Sequence, residues 1–543
     1  NLDLSGSASD SYSQSNLSTF GVSSGKWYAE VKITYSTTNV YVGVCPITTP
    51  GNTNLTGSVT DAAVLRMSNT TYIEGTETGS IFDSISSGDI IGIALDMDNL
   101  RVWFSKNGTY ANSGNPATGT NAIFSGITAG ETMAIAARPL NGTLNFNFGQ
   151  RPFSYTPPTG YKAWTSNHLL TNNPPSVLDP KKHFDTLLYT TGSSNGTFTH
   201  TGVGFKPDLM WVKCRNANES NFFIDSVRGD QAVTNKFLRS NDEGGEGTAG
   251  TNGTTWTTIK GGFTVTETSI DNSNGGGELY YSSRNYVAWC WKAGGSSNTF
   301  NVDGKGYASA SAAGITDGSI ALTGASVNRE AGFSIITYTG GGSAGTIGHG
   351  LGKVPKWIIT KRRTGSEDWK VYHPNLSGGY FLKLNAQQQQ TSNTDVYPDT
   401  DPTTTVYSVG SHDSVSGNSD TYVAYCWAEI PGYSKFGSYV GNGSSNGTFV
   451  YTGFRPSWVM TKTISGNTSN WNIYDHKRNP HNIANRTLYA NLSNAESAES
   501  SSGNQMDLLS NGFKMRGSNV DTNGNGSVYI YMAFAKQPGN TPY

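Results

Sequence analysis

The sequence predicts an all-β protein of several antiparallel β-sandwiches in a tandem array. Glycine and aromatic residues are both abundant, with 66 Gly, 28 Tyr, 22 Phe and 12 Trp in 543 residues. This composition suits short strands joined by tight turns. Apolar and polar residues alternate with a period of two in several segments, as on a half-buried strand. Long stretches rich in Ala, Leu, Glu and Lys, which form helices best, are nearly absent.

The low charge of the chain excludes several functions. Charged residues make up 14% of the sequence and the formal net charge is −2, so no strong field attracts nucleic acid or an anionic membrane. No run of about 18 apolar residues occurs, so we expect no membrane insertion. The aromatic content of 11% argues against disorder.

The cysteines and the first residues indicate where the protein is made. Cys45, Cys214, Cys290 and Cys426 are too scattered for a disulfide framework, so we expect reduced, mostly buried thiols. That expectation fits assembly in a reducing cytoplasm. The chain starts at Asn1 without Met or a signal-peptide pattern, so we expect a processed or fragmentary copy of a longer protein.

The first 164 residues are expected to form one sandwich. Residues 26–35 alternate with a period of two, as a strand does. Residues 88–107 predict a hairpin that turns at residues 96–99, and residues 132–148 predict another around Asn141-Gly142.

Parts of this region resemble the SPRY domain. The resemblance rests on residues 25–30 (GKWYAE), residues 41–44 (YVGV) and above all residues 88–108, which match the most recognisable hairpin of that family. Residues 147–153 (NFGQRPF) resemble the end of SPRY-like domains in phage tail and fibre proteins. The resemblance implies a concanavalin-like or jelly-roll sandwich. It also implies a binding module whose ligand surface is formed by loops at one end, without catalytic residues.

Three related copies of one unit follow. The heptapeptide GSSNGTF occurs at residues 192–198 and 443–449. Each copy opens with a strand ending in Tyr, has a Pro followed six residues later by Lys, and closes on an apolar strand. The aligned positions are Tyr189, Tyr338 and Tyr439; Pro207, Pro355 and Pro456; Lys213, Lys361 and Lys462; and the closing strands 286–291, 422–427 and 531–536. In this alignment Ala535 occupies the position of Cys290 and Cys426.

The closing strand of each copy is apolar on both faces, so it should be central in its sheet. A copy of about 100 residues is long enough for a small sandwich with its own core. We expect the copies to follow one another like beads on a semi-rigid string. The predicted domains are residues 1–164 (SPRY-like sandwich), 165–183 (linker), 184–293 (first repeat), 294–332 (linker or insertion), 333–431 (second repeat) and 432–543 (third repeat).

The repeats resemble a module of long tail-fibre and structural proteins of phages. The resemblance rests on residues 348–357 (GHGLGKVPKW), the apolar closing strand and GSSNGTF. It implies a protein on the exterior of the virion, assembled in the host cytoplasm and trimeric by analogy with such fibres. The implied partners are a host cell-surface glycan or receptor and other virion proteins. The family brings no activity.

No metal or cofactor site is predicted. Residues 521–526 match the first half of an EF-hand loop, but Met532 stands where the loop needs Glu. A polar turn before the closing strand is the better interpretation, and residues 271–275 hold a similar turn. Residues 96–99 are likewise interpreted as a hairpin turn.

Catalytic residues are not predicted either. Glycoside hydrolysis needs two carboxylates a few ångströms apart. Acidic residues cluster in the first two repeats, but no repeat shares them with another: Glu243, Glu246, Glu267, Glu367 and Asp368. Neither a G-x-S-x-G motif nor a phosphate-binding loop is present. We therefore predict that the protein is not an enzyme.

One loop of the third repeat is the candidate binding site. It contains Asp475, His476, Lys477, Arg478 and His481, which together suit an anionic sugar or a metal. The pattern favours a solvated basic loop over either kind of site, because no acidic or Cys partner stands at a fixed spacing. Trp369 and Trp471 share an aligned strand position and are interpreted as core residues rather than as a sugar platform.

Three functions remain open. The preferred hypothesis is a phage fibre or receptor-binding protein that adheres to the host surface. The alternative is a head fibre or capsid-decorating spacer, and a fibre-borne polysaccharide depolymerase is the least favoured. The absence of carboxylates shared between the repeats and of a long parallel β-helix pattern argues against the depolymerase.

Overall fold

The computed structural model describes residues 3–6, 16–35, 39–47, 49, 54–140, 142–165, 177–229, 235–248, 254–267, 281–498 and 503–538. These residues are almost entirely β-structure in antiparallel sheets, which confirms the predicted class. The chain forms two compact units that divide after Pro174. Among the described residues, no helix has the length and hydropathy needed to cross a membrane.

The first unit is a two-sheet sandwich. One sheet has the order β1-β12-β3-β8-β9-β10, with β13 beside β3, and the other has the order β2-β11-β4-β5-β6-β7. The strands are β1 Asp3–Gly6, β2 Asn16–Val22, β3 Lys26–Tyr35, β4 Val40–Pro46, β5 Ala63–Arg66, β6 Thr70–Ile73, β7 Thr76–Ser80, β8 Ile90–Asp96, β9 Arg101–Lys106, β10 Thr109–Tyr110, β11 Met133–Pro139, β12 Gly142–Asn147 and β13 Lys162–Ala163, with a 3-10 turn at Ala111–Ser113. Trp27, Val31, Ile93, Phe104 and Ile135 pack between the sheets.

One predicted hairpin of this unit is confirmed and the other is wrong. Strands β8 and β9 pair from Ile91–Lys106 to Asp96–Arg101, as residues 88–107 predicted. By contrast, β11 pairs with β2 and β4, whereas β12 pairs with β1 and β3 in the other sheet. The turn therefore crosses between the sheets, and Asn141 itself lies outside the described residues. An Asn-Gly pair favours a tight turn but does not fix which strands pair.

The second unit contains the three repeats, and their strand orders correspond. The first repeat contains β14 Phe184–Thr190, β15 Gly196–Thr201, β16 Leu209–Cys214, β17 Asn221–Asp225, β18 Lys236–Arg239, β19 Gly247–Thr248, β20 Thr254–Ile259, β21 Gly262–Glu267 and β22 Asn285–Trp291, after a 3-10 turn at Pro180–Lys182. The next segment contains β23 Phe300–Val302, β24 Lys305–Tyr307 and β25 Leu322–Asn328.

The second repeat contains β26 Phe333–Thr339, β27 Gly345–Gly348, β28 Pro355–Arg362, β29 Lys370–Tyr372, β30 Tyr380–Lys383, β31 Thr391–Ser392, β32 Val406–Val409, the helix α1 Asp413–Ser416 and β33 Thr421–Ala428. The third repeat contains β34 Ser434–Val440, β35 Phe449–Tyr451, β36 Pro456–Ser465, β37 Asn472–Asp475, β38 Arg486–Tyr489, β39 Ser497–Ala498, β40 Met506–Leu509, β41 Gly512–Met515 and β42 Val528–Ala535.

Each repeat has a large sheet and a small sheet. The large sheets contain the runs β14-β22-β16-β17-β18-β19, β26-β33-β28-β29-β30-β31 and β34-β42-β36-β37-β38-β39. The small sheets are β15-β21-β20, β27-β32 and β35-β41-β40. The closing strands β22, β33 and β42 lie between two neighbours in each large sheet, so the predicted central position is confirmed.

The strand register corrects one detail of the repeat alignment. Phe534 pairs opposite Trp458, just as Trp427 pairs opposite Trp357 in the second repeat. The third counterpart of the closing strand is therefore residues 529–534, and Ala533 rather than Ala535 occupies the cysteine position. A shift of two residues keeps each side chain on the same face of a strand, so the apolar pattern alone did not reveal the error. All four cysteines are free and buried, as expected.

The repeats do not lie apart as beads. One face of each large sheet packs with its own small sheet in a separate core. The other faces of the three large sheets meet in one shared aromatic core. In that core the Trp291 ring lies 6.1 Å from Trp427, 5.7 Å from Trp458 and 5.8 Å from Phe534. The closing strands are apolar on both faces, and the small sheet of each repeat buries only one of them. The shared core buries the other face.

The segments expected to be linkers are partly built into this unit. Strands β23, β24 and β25 of residues 294–332 extend the large sheet of the second repeat. Phe300, Val302 and Val327 are buried in the core of that repeat. Of residues 165–183, the part from 166 to 176 lies outside the described residues, and Val177 is buried in the shared core.

Candidate functional site

The candidate loop of the third repeat begins where β37 ends, at Asp475. The Asp475 Oδ1 atom accepts hydrogen bonds from the backbone N–H groups of Lys477 (3.1 Å) and Arg478 (2.8 Å), which shapes the turn. Its Oδ2 atom pairs with Arg478 Nε at 2.5 Å and accepts the indole N–H of Trp289 at 3.0 Å. The Asp475 and Arg478 side chains are fully buried. The Arg478 guanidinium beside Asp475 holds the pKa of that carboxyl below its usual range against the effect of burial.

Arg478 extends this contact into a network between two repeats. Its Nη2 group donates to the Ile473 carbonyl at 2.9 Å, and its Nη1 group lies 3.3 Å from Glu496 Oε2. Glu496 also receives both Nε (2.9 Å) and Nη2 (3.0 Å) of Arg215 from the first repeat. These arginines lower the pKa of Glu496 against its partial burial. Asp475 and Arg478 thus join the third repeat to the first.

The remaining candidate residues of this loop lie nearer the surface. His476 is half-buried, and its backbone N–H donates to the Ser457 carbonyl at 2.9 Å. Burial lowers the pKa of His476 to about 4. Lys477 and His481 are exposed. A ligand at this loop therefore meets Lys477 and His481 first, and its binding stays a prediction.

The first repeat contains the same buried pair, so this loop is less distinctive than the sequence suggested. Asp225 Oδ2 pairs with Arg228 Nε at 2.5 Å, and both side chains are fully buried. Arg228 then contacts Glu246, which receives Nε (2.8 Å) and Nη2 (3.0 Å) of Arg363 from the second repeat. The signal was available in the sequence: Asp and Arg stand three residues apart at the same repeat position in both copies. Residues that two copies share at one position are more easily explained by the fold than by one binding loop.

The lysine that follows the repeat proline by six residues joins every neighbouring pair of repeats. Each lysine is buried and donates one hydrogen bond to a backbone carbonyl of its own repeat and another to a carbonyl of a neighbour. The neighbour contacts are Lys213 to Ser493 (2.6 Å), Lys361 to Glu243 (3.0 Å) and Lys462 to Gln387 (2.7 Å). Burial lowers the pKa of Lys213 and Lys361 to about 8 and that of Lys462 to about 7. The first repeat thus contacts the third, the second contacts the first and the third contacts the second, which closes a ring.

Aromatic side chains strengthen the same ring. The Trp369 indole N–H donates to the Arg239 carbonyl of the first repeat at 2.8 Å, and that of Trp471 donates to the Lys383 carbonyl of the second at 2.9 Å. Both tryptophans are fully buried, which confirms their interpretation as core residues. In the first repeat Asn221 takes this position and donates its amide to carbonyls of the third repeat.

The boundary between the second and third repeats lacks the charged network at the corresponding positions. His373 replaces the buried aspartate and Leu376 replaces the buried arginine. Gln390 stands in the place of the bridging glutamate, and Ile464 stands in the place of the arginine that meets it. Leu376 and Ile464 belong to the shared core. His373 is fully buried 5.3 Å from the Trp357 ring, and burial lowers its pKa to about 3.

Three of the five acidic residues considered for catalysis have side-chain partners. Glu246 bridges two arginines, Glu267 accepts a hydrogen bond from the Thr254 hydroxyl, and Asp368 contacts Lys370 and Lys383. In the described part of the chain, no group of three or more His, Cys, Asp or Glu side chains is arranged to hold a metal ion. The turn at residues 271–275 lies outside the described residues.

Comparison with known proteins assigns families to both units. A family model described as a SPRY domain matches residues 26–151. Solved structures similar to this part include the SPRY domain of human HERC1, which has 21% identity, covers 25% of this chain and 84% of that one, and has a TM-score of 0.21. A human SPRY domain has 18% identity, 26% and 89% coverage and a TM-score of 0.20. The PSpry domain of TRIM65 has 14% identity, 24% and 70% coverage and a TM-score of 0.19.

No curated protein matches the chain. The repeat unit as a whole matches one family model, described as "Domain of unknown function (DUF7483)", over residues 179–538. This single match runs through the three repeats and the inserted strands, in agreement with the shared core. The chain therefore belongs to the DUF7483 family and has a SPRY domain before the family region.

Proposed function

We propose that this chain is a surface protein of a bacteriophage virion, a fibre or receptor-binding protein that attaches to a glycan on the host cell. The resemblance of residues 147–153 and of the repeat motif at residues 348–357 to phage fibre modules supports the virion setting. A SPRY domain is a binding module, and its presence before the repeats supports adhesion. The role is structural and recognitive rather than catalytic.

The observation that carries this proposal is the use of the repeat's shared polar residues. In all three copies a buried lysine holds a neighbouring repeat through a backbone carbonyl. At two of the boundaries a buried aspartate accepts a hydrogen bond from an aromatic side chain of the neighbouring repeat, Asp475 from Trp289 and Asp225 from Tyr425. The common residues therefore build a rigid scaffold, and the exposed loops are left to differ from copy to copy. Rigid β-scaffolds that present variable loops are typical of recognition proteins.

The acidic residues support a binding role over a depolymerase. A retaining or inverting glycosidase needs one carboxyl as an acid and another as a base or nucleophile, both facing the substrate. Glu246 is held by two arginines, and Asp368 is held by two lysines. The lysines lower the pKa of Asp368 against its partial burial, which is the opposite of what a general acid needs.

The oligomeric state is part of the proposal. Analogy with phage fibres suggests a homotrimer. The internal ring, however, already brings three copies of the repeat together in one chain, and its head-to-tail contacts close as those of a cyclic trimer do. Light scattering on the purified protein decides between a mass of 57.9 kDa for one chain and three times that mass.

The test is binding of the labelled full chain to a panel of bacterial strains and to a bacterial glycan array. Saturable binding that one surface polysaccharide competes away supports receptor binding. A double variant, Lys477→Ala with His481→Ala, then tests the third-repeat loop against a control variant, Lys353→Ala with Lys305→Ala, at other exposed sites. If only the first variant loses binding, the third-repeat loop is part of the receptor-binding site. Absence of binding to all strains, together with tight capture by empty capsids, overturns the receptor role and favours a decorating protein.

A further inference from the structure

A cleft of about 320 Å³ on the first repeat is lined by four lysines. They are Lys182, Lys206, Lys260 and Lys292, and Asp208 is the acidic residue in the lining. The volume is at the lower end of the range of small-molecule sites. The net charge of the chain is −2, so this local excess of positive charge does not follow from the overall composition.

The backbone of the repeat brings these lysines together from separate segments. Lys260 lies in the turn between β20 and β21, where the Gly261 N–H donates to the Phe205 carbonyl at 3.1 Å. That contact places Lys260 near Lys206, whose Nζ donates to the Ser296 hydroxyl at 2.8 Å. Lys292 follows the closing strand, and its N–H donates to the His183 carbonyl at 2.8 Å, next to the 3-10 turn that ends at Lys182. The convergence is therefore fixed by the fold.

Asp208 contributes one carboxyl group against the four lysines of the lining. It is almost fully buried, and its Oδ2 atom accepts the backbone N–H groups of Ala293 (2.8 Å) and Gly295 (3.3 Å), which form the wall of the cleft. Burial raises the pKa of Asp208 to about 6. Lys182 also has an acidic neighbour outside the cleft, Asp179 at 3.7 Å, and that pair is well exposed. An exposed pair of this kind is weak, so Lys182 can also contact a ligand.

The other two repeats provide an internal comparison, because they share the fold without the cluster. The residue before the repeat proline is Lys206 in the first copy but Val354 and Arg455 in the others. The last aromatic residue of the closing strand is followed by Lys292 in the first copy, but by Ala428 and Ala535 in the others. The fold therefore does not need these lysines. The lining also includes Gly294, Gly295 and Gly304 from the segment that is inserted only after the first repeat.

We propose that this cleft binds an acidic saccharide through a carboxylate or phosphate group that the lysines surround. Lysine is a strong partner for such oxyanions, and neighbouring like charges are stabilised when an anion lies between them. The small cleft suits a sugar unit rather than a nucleic-acid duplex. This inference rests on the proposed attachment role and assigns its ligand class and its place on the molecule.

The test measures the affinity of the full chain by calorimetry at low and moderate salt. The probes are oligogalacturonate as the carboxylate sugar, glucose 6-phosphate as the phosphate sugar, inorganic phosphate, and neutral dextran. We expect one acidic sugar to bind, dextran not to bind, and the affinity to fall as salt rises. Which acidic probe binds distinguishes a uronate ligand from a phosphorylated one. Equal affinity for inorganic phosphate and the sugar phosphate overturns the saccharide assignment, and failure of both acidic sugars overturns the inference.

Two matched variants remove the same charge from different places. The cleft variant is Lys206→Gln, Lys260→Gln and Lys292→Gln, and the control is Lys353→Gln, Lys356→Gln and Lys514→Gln, with two half-buried lysines and one exposed lysine in each set. We expect the cleft variant to weaken binding at least about tenfold and the control less than about twofold. Equal weakening by both sets overturns the site. Lysine-to-arginine changes at the cleft positions keep the charge and should retain binding, which separates loss of the site from loss of the fold.

Cell binding by the cleft variant and by the unchanged chain distinguishes a failure of the cleft site from a failure of host attachment. If the cleft variant binds cells as well as the unchanged chain does, the cleft is not the receptor site, although attachment stands. If the unchanged chain binds no strain but still binds the acidic sugar, attachment fails and the cleft remains a saccharide site.

Discussion

The boundaries of the three-repeat ring solve one packing problem in two ways. The first–third and first–second boundaries each contain a buried aspartate–arginine pair extended by a glutamate and a second arginine. The second–third boundary has His373, Leu376, Gln390 and Ile464 at those positions. We call it the apolar boundary and the other two the charged boundaries. The lysine-to-carbonyl contact is common to all three boundaries.

The difference shows which contacts the ring requires. Because the second–third boundary closes without the charged network, that network is one way of filling the space between repeats. A buried ion pair often stabilises a protein no more than well-packed apolar residues do. The two solutions should nevertheless respond differently when one residue is removed, when the pH changes and when a single charge is exchanged.

Loss of one member of a buried pair should have the largest effect. Asp475→Ala leaves the Arg478 charge buried without its carboxylate and removes the acceptor of the Trp289 indole N–H. We expect the free energy of unfolding to fall by about 3–5 kcal/mol, measured by urea unfolding with tryptophan fluorescence. The matched change at the apolar boundary, His373→Leu, should alter it by less than about 1.5 kcal/mol. Similar losses in both variants would show that the two boundaries are not different solutions.

Acid should weaken the apolar boundary before it breaks the Asp475–Arg478 pair of the first–third boundary. Burial lowers the pKa of His373 to about 3, so the folded protein binds fewer protons there than the unfolded chain below about pH 6.5. The contribution of neutral His373 to the free energy of unfolding is present above that pH and is lost as the pH falls toward 4. Asp475 and Glu496 have lowered pKa values, so their contributions are lost only at still lower pH.

The measurement for this second prediction is the free energy of unfolding at pH 7 and pH 4. Between these values the unchanged protein should lose about 3 kcal/mol more than His373→Leu does. The difference between the two proteins cancels the effects of the other titrating groups, including Asp208, whose raised pKa acts in the opposite direction. The exposed His481→Leu change is the control and should behave as the unchanged protein does. Equal losses in all three proteins would remove His373 as the acid-sensitive group.

Much of this fold follows from the sequence, and the ring does not. The repeat alignment predicts Tyr189, Tyr338 and Tyr439 at equivalent strand ends, and they stack on Tyr286, Tyr422 and Tyr529 with ring centroids 5.1, 5.0 and 4.9 Å apart. Such anchors recur because each repeat has the same internal packing. The apolar pattern of the closing strands also indicates burial on both faces, but it does not identify which element packs against the second face.

The candidate site was only partly predictable for a related reason. The loop of Asp475 and Arg478 has the residue types of an anion-binding site, yet the partner Trp289 comes from a strand 186 residues away. Similarly, no spacing in the sequence relates Lys206 to Lys260 and Lys292. Comparison of the copies is the usable signal: residues shared between repeats belong to the scaffold, and residues found in one repeat are the candidates for function.

The smallest effect should come from exchanging a single charge at equivalent positions. Glu246 precedes β19 and Gln390 precedes β31, so the two side chains occupy the same place in their repeats. Glu246→Gln keeps the shape but removes the carboxylate that Arg228 and Arg363 share. Gln390→Glu adds a carboxylate at a half-buried position where the second arginine is replaced by Ile464.

We expect Glu246→Gln to lower the free energy of unfolding by about 1–2 kcal/mol and Gln390→Glu to change it by less than about 0.5 kcal/mol. Urea unfolding at pH 7 measures both. A cost for Gln390→Glu as large as that for Glu246→Gln would mean that the position tolerates only its native residue. A negligible effect of Glu246→Gln would mean that Asp225 alone neutralises Arg228. The charged and apolar boundaries would then differ in their residues but not in how the ring is stabilised.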